Sequence, residues 1–372
     1  MKEKDAVFAE VFAPVEAENF DVESLEVEWF NPFDETKFTI YNCRNTKEKS
    51  FTRLSAEELK NIASVSQDVA FLGRHSAGIQ LRFKTNSRIV KLRVTNYDNY
   101  EMKNMNFMAA SGFDSYSRLN ENEPFSYHSS TFPNFIDNRK WIGYPVYWYY
   151  KQDREYIIDF PLYNGVFILE VGIEKGCYLT PVTRTPKKKI LCYGTSILQG
   201  CSCSRPGINI TNQVSRHFDQ EVYNFGFSGA ANLEKEVAEI INTVEDLEMI
   251  TIDCEANAGI GSLLVERMDD FLATIFEKHP QIPVILFNRD RSHHDDMPSV
   301  RYPKIREYNT KYMKEMVTKY SALGHEIYFF DKWGLFKDTS MTVEGLHPTD
   351  VGMNEIAKFY IETIQKIKDL HK

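Results

Sequence analysis

The sequence predicts an α/β protein in which a β-sandwich precedes a parallel sheet covered by helices on both faces. Three observations carry this prediction. Short strands with period-two alternation fill the first half, apolar strands separated by amphipathic helices fill the second, and the texture changes near residue 185. The chain has 372 residues, more than one hydrophobic core usually serves, so two domains are expected, 1–185 and 186–372.

In the first half, Phe38 to Tyr41, Ile79 to Phe83, Val90 to Val94, Tyr156 to Phe160 and Val166 to Val171 are rich in β-branched and aromatic residues. Alternation is clearest in the second and third, which marks half-buried strands. Ser55 to Ile62 predicts one short helix. Pro186, beside Lys187-Lys188-Lys189, is the expected joint, and the lysines read as a solvated linker. Beyond it come five compact apolar strands: Ile190 to Tyr193, Val222 to Phe225, Met249 to Ile252, Val284 to Phe287 and Ile327 to Phe330. One helical pattern runs from about Glu234 to Val244, and another places Leu264, Met268, Phe271, Leu272 and Ile275 on one face. A last helix repeats Met353, Ile356, Tyr360, Ile364 and Ile367, with Thr349 or Asp350 at its N-cap. Apolar strands between such helices belong to a parallel sheet buried on both sides.

Composition excludes several classes of function. A formal net charge of −9 argues against a phosphate-backbone partner such as DNA or RNA. No stretch approaches the ~20 apolar residues of a membrane-spanning helix. Met1 to Asp5 is not followed by an apolar run of signal-peptide length, so a cytoplasmic protein without a membrane partner is expected. The six cysteines, Cys43, Cys177, Cys192, Cys201, Cys203 and Cys254, fit neither a disulfide framework nor paired zinc knuckles, and reduced thiols are the simplest account. His293-His294-Asp295-Asp296 reads as a solvated loop, because adjacent residues rarely converge on one metal ion. Aromatics reach 13%, and the run from Trp141 to Tyr150 suits either sandwich core or a face that stacks on sugar rings.

In an open parallel sheet, ligands bind beyond the carboxyl ends of the strands. The first strand of the second half runs into Gly194-Thr195-Ser196, the second into Gly226-Phe227-Ser228-Gly229, and the third into Asp253-Cys254-Glu255-Ala256-Asn257. Glu344-Gly345-Leu346-His347-Pro348, just before the last helix, can return to the same rim. A serine hydroxyl is a poor nucleophile at neutral pH, so a neutral imidazole must take its proton during attack. His347 can do this for Ser196, and Glu344, three positions earlier, can hold the Nδ1–H and stabilise the imidazolium. The developing oxyanion needs preorganised donors. The backbone N–H groups of Ser196 and Gly229 and the side-chain amide of Asn257 are the candidates, glycine at 229 sparing the approach a Cβ clash. Taken singly, each has an ordinary explanation: a turn or cap serine, a loop histidine, an asparagine cap.

At these residues the chain resembles the SGNH/GDSL hydrolase superfamily. Gly194-Thr195-Ser196-Ile197 resembles its first block, with Thr195 where aspartate is commonest. Asn224 to Gly229 resembles the second, Asp253 to Asn257 the third, and Glu344-x-x-His347-Pro348 the last, normally Asp-x-x-His. Upstream, Arg74 to Gly78, Gly112-Phe113-Asp114-Ser115-Tyr116 and Pro161 to Val166 resemble a two-domain subgroup with an N-terminal GxDLY-type β-sandwich, jelly-roll-like in form. The resemblance implies a flavodoxin-like three-layer α/β/α domain and hydrolysis of small esters, often acetyl groups on carbohydrates. Two departures stand out. Glu344 is one methylene longer than aspartate, so its carboxylate must fold back or the loop must shift, and a Ser–His dyad helped by a backbone carbonyl is the alternative. Ala230 and Ala231 stand where Asn-Gly is often found.

The expectation is therefore a cytoplasmic serine esterase that removes a short acyl group, acetyl first among them, from a sugar or oligosaccharide, with no cofactor and no metal. Arg74 and His75 are expected to reach the substrate from the sandwich. An acyltransferase using the same acyl-serine chemistry is one alternative. A carbohydrate-binding protein with a decayed site, Glu344 being the symptom, is the other. Oligomeric state is not legible in the sequence.

Overall fold

A computed structural model of the protein describes residues 24–98, 102–134, 139–296 and 301–371. Its first half contributes β1 (Val27–Phe30), β2 (Thr39–Tyr41), β3 (Gln80–Thr85), β4 (Ile89–Asn96), β5 (Phe113–Arg118), β6 (Ser126–Thr131), β7 (Lys140–Tyr147), β8 (Arg154–Asp159), β9 (Val166–Glu174) and β10 (Leu179–Pro181). These form two antiparallel sheets, β1-β9-β4-β7 and β10-β3-β8-β5-β6, with β2 paired to β3. The alternation read in β4 is the alternation of its faces. Val90, Leu92 and Val94 enter a core with Leu81, Phe83, Ile158 and Phe160 of the facing sheet, while Arg93 turns outward over Trp29. The Trp141 to Tyr150 run divides in the same way: Trp141 and Val146 are core, and Tyr147, Tyr149 and Tyr150 are exposed.

The second half adds β11 (Lys189–Gly194), β12 (Val222–Gly226), β13 (Leu247–Asp253), β14 (Val284–Phe287) and β15 (Ile327–Phe330) in one parallel sheet of order β12-β11-β13-β14-β15. Leu191 and Tyr193 face a core shared with the helices Lys235–Ile241, Leu263–Lys278 and Arg301–Ala322. Ile190 and Cys192, one position out of phase, face the helices Ile210–Phe218 and Asp350–Leu370. The connections leave β11 toward β12 and then return to β13 on its other side. Such a reversal opens a crevice at the carboxyl ends of the central strands. Among the described residues no helix is long and apolar enough to cross a membrane.

The two halves share more than a joint. The short helix Ala56–Ile62 forms as expected, and a capping box closes its start: Ser55 Oγ accepts from Glu58 N at 3.2 Å, and the Glu58 carboxylate accepts from Ser55 N at 2.8 Å. A second helix, Gln67–Gly73, not expected from the sequence, follows it, with Ser66 Oγ at its N-cap accepting from Val69 N. Leu54, Ile62, Val69 and Leu72 of this region pack into the core of the parallel sheet rather than into the sandwich.

A second tie is ionic. Asp114, from the Gly112 to Tyr116 motif, is fully buried and accepts from the backbone N–H of Gly207 at 3.0 Å and from Arg205 Nη1 at 2.7 Å. Neighbouring Asp159 accepts from Gln80 at 2.8 Å and from Arg216 at 2.9 Å. Burial and the Asp159 charge push the Asp114 carboxyl up to about 7 against the pull of Arg205 and Arg216. Gly207 permits this approach, since a Cβ there would lie 2.4 Å from Tyr116 Cε2 and 2.7 Å from Asp159 Oδ2.

A second charged cluster braces the carboxyl edge of the parallel sheet. Lys332 Nζ, almost fully buried, donates to Asp253 Oδ2 at 2.5 Å and to Asp290 Oδ2 at 3.1 Å. Tyr360 Oη, from the last helix, donates to Asp253 Oδ2 at 2.7 Å.

Two stability measurements follow. Gly207→Ala should lower the stability by about 1–3 kcal/mol, the usual cost of overpacking, read as a lower urea midpoint at unchanged m-value, and an unchanged midpoint would remove the clamp. Lys332→Ala leaves two buried carboxylates without their cation and should cost about 3–5 kcal/mol at pH 7.5. The deficit should shrink as pH falls into the carboxylate range, because protonation removes the unpaired charge; a pH-independent deficit would contradict the pairing.

Candidate active site

β11 ends at Gly194, and the chain turns through Thr195 directly into the helix Ser196–Gln199. Ser196 is therefore the first helical residue, where backbone N–H groups have no partner within the helix. Its hydroxyl lies 2.8 Å from His347 Nε2. His347 sits in a tight turn closed by hydrogen bonds from Val343 N to His347 O at 2.8 Å and from Gly345 N to Thr342 Oγ1 at 3.0 Å. The Glu344 carboxylate folds back within this turn. Its Oε1 accepts from the His347 backbone N–H at 3.3 Å and makes a short contact with Nδ1 of the ring. The extra methylene is thus absorbed by the fold-back, and a carboxylate rather than a backbone carbonyl faces Nδ1. Burial of the ring disfavours its protonation, but the Cys201 sulfur and the Glu344 carboxylate outweigh that and hold His347 up at about 9.

The backbone N–H groups of Ser196 and Gly229 have no hydrogen-bond partner among the described residues. Asn257 Oδ1 accepts from Ala231 N at 3.3 Å, which fixes the amide and leaves its Nδ2 donors unused by the described residues. Gly229 has φ +71°, and a Cβ there would meet nothing within 4 Å. Glycine suits this left-handed backbone, which costs other residues about 1–2 kcal/mol. The second block is propped from behind. Gln199 Oε1 accepts from Ser228 N at 3.0 Å, and its Nε2 donates to Leu162 O at 3.1 Å. Asn224 Nδ2 donates to Leu198 O at 2.8 Å, tying β12 to the Ser196 helix.

The two residues expected to reach the substrate have these partners within the protein. His75 is wholly buried, with Nδ1 3.2 Å from Gln199 Nε2, and burial together with Arg53 and Arg74 holds the ring well below the ordinary imidazole range. It supports Gln199 and is shut off from solvent. Arg74 pairs with Asp98 at 3.5 Å and lies over Phe71. Arg53, absent from the sequence reading, takes the bridging role: its guanidinium donates to the carbonyls of Leu72, His75, Asn224 and Gly226. Two other carboxylates, Asp253 and Asp350, are engaged elsewhere, Asp253 with Lys332 and Asp350 with Ser204 N at 2.8 Å. Thr349 is the residue that caps the last helix.

Three further neighbours belong to the site. Tyr163 Oη donates to Ser196 O at 3.3 Å, and its motif, Pro161 to Val166, was legible in the sequence. The Asn104 amide lies 3.2 Å from His347 Nδ1 and 3.5 Å from Cys201 Sγ. Nothing in the local sequence marks Asn104. His293 to Asp296 form a helical turn rather than a free loop, and His293 N donates to Gly345 O at 2.7 Å, bracing the His347 turn.

The arrangement joins a hydroxyl, an imidazole in proton-transfer contact with it, a carboxylate on the far ring nitrogen, and free N–H donors, which is the equipment of acyl transfer. Similarity to known proteins agrees with this chemistry. A profile for the N-terminus of SGNH-hydrolase-type esterases (GxDLY) matches residues 27–179, and one for the GDSL-like lipase/acylhydrolase family matches residues 187–365. Among solved structures, a protein from Bacteroides ovatus described as a GDSL-like lipase is 26% identical, with a TM-score of 0.81 over 92% of this chain and 98% of its own. The salicylyl-acyltransferase SsfX3 of a tetracycline biosynthetic pathway (16% identity, TM-score 0.69, covering 95% of this chain and 99% of its own) shares the fold. So does a family two carbohydrate esterase from Cellvibrio japonicus (10% identity, TM-score 0.59, covering 93% and 99%). No curated protein matches the chain. With both halves matched in order, the chain belongs to the SGNH/GDSL hydrolase superfamily, in the subgroup where a GxDLY-type β-sandwich precedes the SGNH domain.

Proposed function

We propose that the protein is a cytoplasmic serine esterase that releases a short acyl group, acetyl, from a carbohydrate through an acyl-serine at Ser196. Residues 186–372 carry the chemistry, and residues 1–185 form an accessory unit that narrows access to it. The observation that carries the reading is the contact chain from Ser196 Oγ to His347 Nε2 at 2.8 Å and from Nδ1 to the Glu344 carboxylate.

Ser196 Oγ attacks the ester carbonyl as His347 Nε2 takes the hydroxyl proton, and Glu344 steadies the imidazolium so formed. The N–H groups of Ser196 and Gly229 and the amide of Asn257 receive the oxyanion. The tetrahedral adduct collapses as His347 returns the proton to the departing sugar oxygen. Water, deprotonated by the same nitrogen, then releases the acid and restores Ser196. A carbohydrate as the alcohol portion is supported by the aromatic side chains Tyr147, Tyr149 and Tyr150, which the sandwich leaves exposed. The free state of all six cysteines suits a reducing compartment.

An acetate-release screen over acetylated oligosaccharides tests the reading. Ser196→Ala should abolish release, by at least about 10³-fold. Transfer of the acyl group to an added alcohol in dilute aqueous solution would instead indicate an acyltransferase, and sugar binding without release above the Ser196→Ala background would indicate a decayed site. The pH dependence has a defined sign. The base must be neutral, so kcat/KM should rise with pH through the raised His347 value of about 9. Glu344→Gln removes the charge that favours imidazolium, so the acid limb should move to lower pH while kcat falls by more than about tenfold. A smaller loss with an unmoved limb would take Glu344 out of the triad.

A further inference from the structure

We propose that Asn104, delivered from the N-terminal half, is a second acceptor for the Nδ1–H of His347 and therefore a positioning residue for the imidazole. Three bonds pin its loop against the segment that follows the Ser196 helix. Ser202 Oγ donates to Asn104 O at 2.7 Å, Asn106 Nδ2 donates to Ser204 O at 2.8 Å, and the Asn104 amide meets Cys201 Sγ at 3.5 Å. Immediately afterwards Asn106 caps the helix Phe107–Ser111, its Oδ1 accepting from Ala109 N at 2.9 Å.

The orientation of the amide follows from the protons around it. With the Glu344 carboxylate against Nδ1, the proton of a neutral ring must sit on Nδ1, since an unprotonated nitrogen there would repel the carboxylate. An N–H of Asn104 aimed at Nδ1 would then set donor against donor at 3.2 Å. A half-turn of the amide, which exchanges two atoms of nearly equal size, resolves the conflict. The oxygen then accepts from Nδ1–H at 3.2 Å, with the Cys201 sulfur on its other side. Glu344, which acts on the ring together with the Cys201 sulfur, is a weak clamp. Its side chain is 39% exposed and sits on the same turn as the ring it holds. The Asn104 oxygen approaches from a different element, so the ring is held from two directions.

The kinetic arm rests on the esterase reading, and p-nitrophenyl acetate is the probe. Asn104→Ala should lower kcat about tenfold, the scale of one lost hydrogen bond, with KM within about twofold. Asn104→Asp keeps an acceptor, so most of kcat should return and the acid limb should shift to higher pH. A purely structural role predicts equal losses in both variants and an unmoved limb. The low-field Nδ1–H proton resonance of His347 gives a readout without turnover: it should persist in Ser196→Ala and move upfield or exchange faster in Asn104→Ala. An active enzyme in which Asn104→Ala leaves kcat, limb and resonance unchanged overturns the proposal. A protein without esterase activity whose resonance still responds to Asn104→Ala sinks the esterase reading and upholds the role of Asn104.

Discussion

A histidine can take a proton at Nε2 only while Nδ1 keeps its own, so some acceptor must face Nδ1 in both charge states of the ring. In this protein that requirement is met inside a single turn. Val343 N and His347 O close the loop, and the Glu344 carboxylate is folded against the ring it serves. A turn of this kind fixes the acid and the base relative to each other, whatever happens to the sheet. What it cannot fix is their distance from Ser196, which stands 151 residues away in sequence. The surrounding structure exists to set that distance.

Parallel strands supply the first part of the solution, because they deliver their loops to one edge. Delivery is not placement, and the rim is held by polar groups buried beneath it. Glu255, nearly fully buried, accepts from Arg289 N at 2.8 Å and from Asn309 Nδ2 at 3.2 Å, fixing the turn that carries Asn257. Lys332 fixes the end of β13, and Arg53 fixes the end of β12. Burying charges is costly, and well-packed apolar residues often stabilise as much or more. Each of these charges, however, ties the end of a strand to a different element. Hydrophobic contact is non-directional and cannot specify such ties.

The periodic parts of this fold were open to reading from sequence. β4 alternates because its two faces see core and solvent, and β11 reads as a solid apolar run because both its faces see core. The meeting of Ser196, Glu344 and His347 was legible because the loop after the first parallel strand and the loop before the last helix both reach the same rim of the sheet. The rest depends on tertiary contacts without a sequence signature. Asn104 lies 243 positions from His347, and only the docking of one half on the other brings them together. His75 and Arg74 are adjacent in a motif, and the fold sends one inward to Gln199 and the other to Asp98. The left-handed backbone of Gly229 was not legible either, since backbone dihedrals are not encoded in spacing.

The segment from Cys201 to Gly207 gives the sandwich a second route into the chemistry, beside the bond from Tyr163 Oη to Ser196 O. It leaves the Ser196 helix and is seized at successive residues: Cys201 beside Asn104, Ser202 by Asn104 O, Ser204 by Asp350 and Asn106, and Arg205 and Gly207 by Asp114. Every one of these partners except Asp350 comes from the first half of the chain. The strap therefore carries the position of the sandwich to the helix that bears Ser196, while Asp350 carries the position of the last helix, three residues beyond His347, to the same strap. A displacement of the sandwich would move the strap and the Asn104 loop together. The hydroxyl and the imidazole would keep a common frame of reference, which a hinge between two independently packed domains could not give them.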